Sequence, residues 1–174
     1  EGLSVTYRTE EGPLPAVRDV DLTVARGEVV GVAGESGCGK STALSVLLSF
    51  ESPDEGLVQV GDIDLAKIDP VTWRSRIAWV PQSPRLVAGT LIDNVTLGQE
   101  NLPSTEIERA LSEVGLHEFD RERVLSEHSR DVSAGERRRI SLARALLRVR
   151  CGDALLVLLD DPTAGLDAAR EQDI

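Results

Sequence analysis

Methionine is absent and aromatic residues make up only 3% of the 174 residues, so any core must be built from Leu, Val, Ile and Ala. Long apolar runs are missing too. The longest, Ala154 to Leu159, falls far short of the ~20 residues a membrane helix needs and suits a buried strand. Cysteine is scarce: Cys38 and Cys151 are too few for a disulfide framework and fit a reducing compartment. Positive charge is also short, with 30 acidic against 19 basic residues and a net charge of −11. This balance excludes general nucleic-acid binding, which relies on phosphate neutralisation by Lys and Arg. It does not exclude a local phosphate site, because fields from distant carboxylates fade beyond the ~8 Å Debye length. His117 and His128 lie in polar stretches without ligand-like spacing and read as ordinary surface residues. No signal peptide opens the chain, and its start at Glu1-Gly2-Leu3 reads as a cut from something longer.

What is present is an α/β pattern long enough for one domain. Leu3 to Tyr7 and Val17 to Val24 alternate as strands do, and Arg26-Gly27-Glu28 marks a turn. Val29 to Ala33 is a short apolar strand. After a glycine-rich stretch comes a helix with Leu44, Leu47 and Leu48 at i, i+3 and i+4. Leu57 to Val60 forms another strand, and Asp69-Pro70 an N-cap with proline at the first helical position. Arg76 to Val80 is a strand ending at Pro81-Gln82. From Ser83 to Asp131 the pattern turns polar and helical, with Pro103-Ser104 opening a helix through Leu111. A further helix spans 133–148, with Ile140, Ala143 and Leu147 on one face and Arg137, Arg144 and Arg148 on another. Leu155 to Leu159 is the last strand. Strands alternating with helices predict a mainly parallel sheet covered on both faces.

Two stretches carry chemistry. Gly34-Glu35-Ser36-Gly37-Cys38-Gly39-Lys40-Ser41 matches G-x-x-x-x-G-K-[ST], set between an apolar strand and an amphipathic helix that continues at Thr42. Glycines let backbone N–H groups turn inward around phosphates, and the helix N-terminus adds the positive end of its dipole. Lys40 is placed to reach the β- and γ-phosphates of ATP, and the Ser41 hydroxyl to ligate Mg²⁺. Leu155 to Leu159 then delivers Asp160 and Asp161 at the carboxyl end of a strand, where α/β sheets bind ligands. Asp160 is placed to hold Mg²⁺, and Asp161 to orient or deprotonate an attacking water.

With those residues in view, the chain resembles the ABC ATPases. Asp160-Asp161-Pro162-Thr163-Ala164-Gly165-Leu166-Asp167 looks like their Walker B and D-loop block. Val132-Ser133-Ala134-Gly135-Glu136 looks like their signature, usually LSGGQ, and Arg137 to Ala145 like the helix that continues it. Gln82 after Trp79-Val80-Pro81 is similar to the Q-loop. Tyr7, 27 residues before Gly34, sits where the family places an aromatic that stacks on adenine, although a strand tyrosine also serves as core packing. The resemblance implies a P-loop NTPase core with an antiparallel N-terminal part. That core would comprise residues 1–82 and 145–174, with a helical subdomain inserted over 83–144. It also implies MgATP held by Tyr7, Gly34, Ser36, Gly37, Cys38, Gly39, Lys40, Ser41 and Thr42, with Gln82 joining Ser41 and Asp160 at the metal. Two such domains would pair head to tail, so that Ser133, Gly135 and Glu136 meet the ATP of the partner. Ser133 is equally an ordinary N-cap, and Arg138 and Arg139 could be a solvated helix face.

Three departures stand out. Asp161 replaces the usual catalytic Glu with a carboxylate one methylene shorter, which predicts intact binding and slow hydrolysis. Ala134 and Glu136 replace Gly and Gln in the signature, and Glu136 puts negative charge near a partner's ATP unless an arginine pairs with it. The chain ends before the family's switch histidine. Two function classes compete: the motor of a membrane exporter, and a soluble ABC ATPase of DNA repair or translation. Only 93 residues separate Lys40 from Ser133, room for the helical subdomain alone, which favours the exporter. Trp73 to Gln82 with Gly89 to Val95 resembles exporters, and Glu127 fits their cross-contact loop. Ser133 to Arg139 with Asp161 to Asp167 looks most like the CydD/CydC branch of actinobacteria, whose members export cysteine and glutathione. The resemblance thus implies transmembrane partner domains, no nucleic acid, and a place on the cytoplasmic face of the plasma membrane.

Overall fold

A computed structural model describes residues 1–126 and 132–161. The chain divides into two compact units, Glu1–Ser75 and Arg76–Ile174.

The first unit opens with an antiparallel hairpin of β1 (Leu3–Thr9) and β2 (Gly12–Val20). Its inward residues Leu3, Val5 and Val17 pack on Val46 of helix α1 (Lys40–Leu47). The helix thus buries Val46, with Leu48 at its C-cap, whereas Leu44 and Leu47 are only half-buried. Its end is tied down by α2 (Pro70–Ser75). Trp73, itself buried, donates its indole N–H to the Leu47 carbonyl at 2.6 Å. Arg74 lies over the Phe50 ring and donates to the carbonyls of Leu48 and Ser49. These donors satisfy carbonyls that a helix C-terminus otherwise leaves unpaired. Asp69 caps α2 by accepting from the Thr72 N–H at 2.8 Å, as its position before Pro70 predicts. That contact holds its carboxyl below the ordinary range. Between the helices lies a two-residue ladder, β3 (Gln59–Val60) with β4 (Ile63–Asp64).

Three expected strands differ here. Of Val17 to Val24 only residues 17–20 pair, as the end of β2, and residues 21–24 join no ladder among the described residues. Residues 29–33 join no ladder among the described residues, and Val29 is 96% exposed. A short apolar run gains extended structure only from a hydrogen-bonded neighbour, and the hairpin of this unit pairs within itself. Of Leu57 to Val60, only Gln59 and Val60 pair, because Gly61 at φ 59 turns the chain immediately after them.

The second unit is built around β5 (Ile77–Val80), which pairs in parallel with β8 (Leu156–Leu159) in the register Ile77 to Leu156. Parallel pairing needs a long crossover, and everything between the two strands supplies it. The crossover holds β6 (Gly89–Thr90), α3 (Leu91–Val95), α4 (Ser104–Glu113), β7 (Val124–Leu125) and α5 (Ala134–Cys151). Within residues 83–126 the helices are α3 and α4, joined by turns and irregular chain, with an added β6–β7 ladder too short to show a period of two. Ile140, Ala143 and Leu147 of α5 do form one buried face, packed against Leu91, Val95, Ala110, Leu111 and Leu116. Along β8 Leu158 is buried while Val157 and Leu159 are exposed, so the strand alternates instead of being buried throughout. Among the described residues it has a ladder partner on one side only.

A buried polar knot locks α3 to α5. Asn94 is fully buried and donates to the carbonyls of Val87 and Thr90 at 2.9 and 3.0 Å. Its amide oxygen accepts from the Val87 N–H and from Nη2 of Arg144, both at 2.9 Å. Arg144 also donates to the carbonyls of Asn94 and Arg85, and burial lowers its pKa. Replacing Asn94 by Leu strands these groups, and each unpaired buried partner costs about 1–3 kcal/mol. We expect Asn94→Leu to destabilise the protein by about 3 kcal/mol or more, read as a lower urea midpoint at unchanged m-value.

Candidate functional site

The glycine loop belongs to the first unit. It runs into α1 through Gly39, whose φ of 94 lies in the left-handed region. A Cβ built on Gly39 collides with the backbone carbonyl of Ala16, so the hairpin itself demands glycine here. A Cβ on Gly34 comes within 2.6 Å of the Cys38 sulfur and 3.9 Å of the Lys40 ammonium. Lys40 folds back across the loop, its Nζ donating to the carbonyls of Gly34 at 2.6 Å and Glu35 at 2.8 Å. Nζ lies 3.5 Å from Cys38 Sγ, so the cysteine is a small neighbour of the ammonium. An ammonium has three donors: two go to the carbonyls and the third is directed at Cys38 Sγ.

A polyphosphate fits this loop. Gly39 occupies the N-cap and has no side chain to cap the first turn, and no acidic residue lies in that turn. The N–H groups of the first turn and the positive dipole end thus favour an anion. Ser36, Gly37, Cys38, Ser41 and Thr42 lie on the same exposed or half-exposed loop and turn. Tyr7 is elsewhere in this unit: it faces Leu14 across the hairpin and packs, half-buried, on the cluster of Leu3, Val5, Val17 and Val46.

The second unit gathers the remaining candidates. Because β5 and β8 are parallel and in register, both release their chains at the same edge: Pro81-Gln82 from one, Asp160-Asp161 from the other. The Asp160 N–H donates to the Val80 carbonyl at 2.9 Å, fixing this juxtaposition. Asp161 follows at φ 53, a left-handed conformation that Asp tolerates better than longer side chains do. Magnesium held with phosphates takes only one or two protein carboxylates, and Asp160 offers one at a strand terminus. Residues 162–167, expected as the D-loop, and Glu127 and His128 lie outside the described residues.

Ser133 is the N-cap of α5, as its sequence position predicts. Its hydroxyl accepts from the Glu136 N–H at 3.1 Å, and the Glu136 carboxylate accepts from the Ser133 N–H at 2.6 Å. This reciprocal box satisfies two orphan donors of the helix. The other Glu136 oxygen lies 3.6 Å from Arg123 Nη1, so an arginine does offset the unusual negative charge. Gly135 lies in the same first turn.

Sequence reasoning missed one group at this edge. Arg138 is not on a solvated face: it is 4% exposed, and its Nη2 donates to the Gln82 carbonyl at 2.6 Å. The signal was available in Ser141 and Ala145, small residues at i+3 and i+7 that mark a closely packed stripe; both are buried. Arg139 lies with its guanidinium 5.9 Å from the Phe119 ring centroid. Asn94 was equally readable as a polar residue in the apolar stripe of Leu91 and Val95.

Comparison with known proteins agrees with this arrangement. The ABC transporter family model matches residues 17–164. The chain is 36% identical over 174 residues to the glutathione/L-cysteine transport system ATP-binding/permease protein CydC of Escherichia coli (strain K12), covering 98% of the chain and 30% of that protein. It is 33% identical over 181 residues to the ATP-dependent permease MDL1 of Candida albicans, covering 99% and 25%. A solved bacterial Atm1-family ABC exporter with ATP bound matches all of this chain and 30% of its own, at TM-score 0.87 and 26% identity. The chain thus spans 30% or less of the length of these relatives.

Gly39→Ala tests the fit of the loop. The collision with Ala16 and the left-handed φ should cost about 2 kcal/mol or more, measured as a fall in the denaturation midpoint.

Proposed function

Since the chain belongs to the ABC transporter family, we propose that it is the ATP-binding and ATP-hydrolysing motor domain of an exporter, acting as one half of a head-to-tail pair. Its fold is that of ABC ATPase domains, an α/β P-loop NTPase that has antiparallel strands as well as parallel ones. The observation that carries the reading is the loop before α1. There Lys40 is gathered against two carbonyls, and glycine is demanded at Gly39 by contact with the Ala16 backbone carbonyl. Among the described residues no helix is long and apolar enough to cross a membrane. Membrane domains enter the proposal as partners.

In this reading residues 1–82 and 145–174 form the nucleotide-binding core and 83–144 the helical subdomain. Gly34, Ser36, Gly37, Cys38, Gly39 and Thr42 wrap the phosphates with backbone N–H groups, and Lys40 neutralises the β- and γ-phosphates. Tyr7 stacks on the base. Ser41, Asp160 and Gln82 hold Mg²⁺, and Asp161 orients the attacking water. Bound MgATP supplies the phosphoryl group that passes to water, with the metal neutralising its charge. Ser133 and Gly135 close on the γ-phosphate held by the partner domain. The Ser133 hydroxyl can still donate its proton there while it accepts from the Glu136 N–H, and Glu136 is tempered by Arg123. Closure shifts the population towards the paired state, and product release separates the domains. Residues 83–95, which follow Gln82, pass that motion to the membrane domains, with the motor on the cytoplasmic face of the plasma membrane. No nucleic acid takes part.

The finer assignment is to the CydD/CydC branch, with a small thiol such as cysteine or glutathione as cargo. It is supported by the resemblance of Ser133 to Arg139 and by the CydC relative, whose name gives that cargo. The MDL1 permease stands at similar identity, so ATP-dependent uptake of cysteine or glutathione into inverted vesicles tests the assignment, and absence of uptake sinks it.

Lys40→Ala removes the charged donor of the loop, and ATP affinity should fall roughly 100-fold, the equivalent of about 3 kcal/mol. Ser133→Arg should leave ATP binding intact and abolish ATP-dependent pairing; a Ser133→Arg protein that still pairs sinks the head-to-tail reading. Asp161→Glu restores reach at a site where about 1 Å can be worth 10²-fold. Its steady-state MgATPase rate should rise roughly tenfold on that scale. Equal rates would make Asp161 a competent catalytic carboxylate.

A further inference from the structure

Gln82 is held at both ends of a short span of backbone. On its N-terminal side the Val80 carbonyl accepts from the Asp160 N–H at 2.9 Å. At Gln82 itself the carbonyl accepts from the Arg138 guanidinium at 2.6 Å. Between these anchors Pro81 fixes its own φ and offers no N–H. Gln82 is exposed, while the guanidinium that grips its backbone is buried. A charged donor buried on a neutral carbonyl makes a strong hydrogen bond, so where Arg138 goes the Gln82 carbonyl follows.

Arg138 also lies on the helix that Ser133 caps, five residues along a single rigid rod, or about 7.5 Å at the rise of an α-helix. Six residues further on, Arg144 grips the carbonyls of Arg85 and Asn94. Two arginines of one helix therefore hold the backbone that follows β5 at Gln82, Arg85 and Asn94. The first of them sits between Ser133 and the strand edge that presents Asp160.

We propose that Arg138 is a positioning residue for the ATPase reaction: it sets Gln82 against Asp160 through the Gln82 carbonyl and makes that setting depend on the engagement of Ser133. The inference rests on the functional reading above and adds to it a physical link between the N-terminus of α5 and Gln82. Arg138 touches neither phosphate nor metal. Its removal should therefore leave nucleotide binding by the glycine loop intact and slow the chemical step that needs Gln82 in place.

The test compares Arg138→Met, which keeps bulk but loses the donor, with Arg138→Lys, which keeps a charged donor. MgATPase is measured on the full-length protein and expressed per bound nucleotide, so that misfolded protein does not count. The expected result is a kcat for Arg138→Met lower by roughly tenfold, within the range for misplaced catalytic groups, at a KM for MgATP within about twofold of the parent. Arg138→Lys should recover at least half of the lost rate. If Arg138→Met folds too poorly to assay, the Lys variant against the parent, with Arg138→Gln as the shortened donor, gives the same ordering. An unchanged kcat, a loss carried by KM, or a Lys variant no better than Met or Gln overturns the proposal. Failure of the functional reading looks different: the parent protein then binds no MgATP, or Lys40→Ala leaves its binding unchanged.

Discussion

Inside the second unit, α5 turns two guanidinium groups onto protein backbone, Arg138 buried and Arg144 half-buried. Arg138 ends on the Gln82 carbonyl, and Arg144 ends on the carbonyls of Arg85 and Asn94 and on the Asn94 side chain. Burying a charge without partners is prohibitive, so each arginine requires the backbone that satisfies it. The segment leaving β5 in turn depends on these arginines, because its own ladder is only two residues long. The placement of Gln82, of α3, and of the crossover between the parallel strands all follow from this exchange. Apolar burial of Ile140, Ala143 and Leu147 supplies the bulk of the attraction, while the arginines select one seating of the helix.

The chain is acidic overall, yet cations stand at the places where its chemistry is expected. It has two lysines, Lys40 and Lys67, and one of them is in the glycine loop. An ammonium suits that place because it is compact and spreads its donors over the Gly34 and Glu35 carbonyls and the Cys38 sulfur. The cations that α5 turns inward, Arg138 and Arg144, are arginines, whose weaker hydration and planar fork fit several carbonyls at once. Glu136 would oppose an incoming phosphate, but its two oxygens are directed to the Ser133 N–H and towards Arg123. The changed signature thus keeps a helix start suited to anions.

Asp161 shows how one residue can answer to two constraints. Read as a catalytic group it is short of reach. Read as backbone it sits at φ 53, where Asp is favoured over Glu. The conformation at the end of β8 therefore supplies a structural reason for the departure, independent of rate.

The sequence by itself determined the glycine loop before α1, the strand-borne carboxylates, the N-cap at Ser133 and the apolar face of α5. Each is a local rule in which residue type and spacing dictate the conformation: glycine where a Cβ would collide, Ser and Glu three apart at a helix start, apolar residues at helical period. Tertiary structure alone decided which arginines of α5 are buried and that Arg123 faces Glu136. It also decided that Val29 to Ala33 goes without a ladder, while Trp73 closes the end of α1. These outcomes depend on partners far away in the chain: a carbonyl 56 residues before Arg138, or one 26 residues before Trp73. A polar side chain on a helix carries no local mark of whether water or a distant carbonyl will meet it. Only packing settles that, because the free energy of a buried charge belongs to the pair and not to the residue.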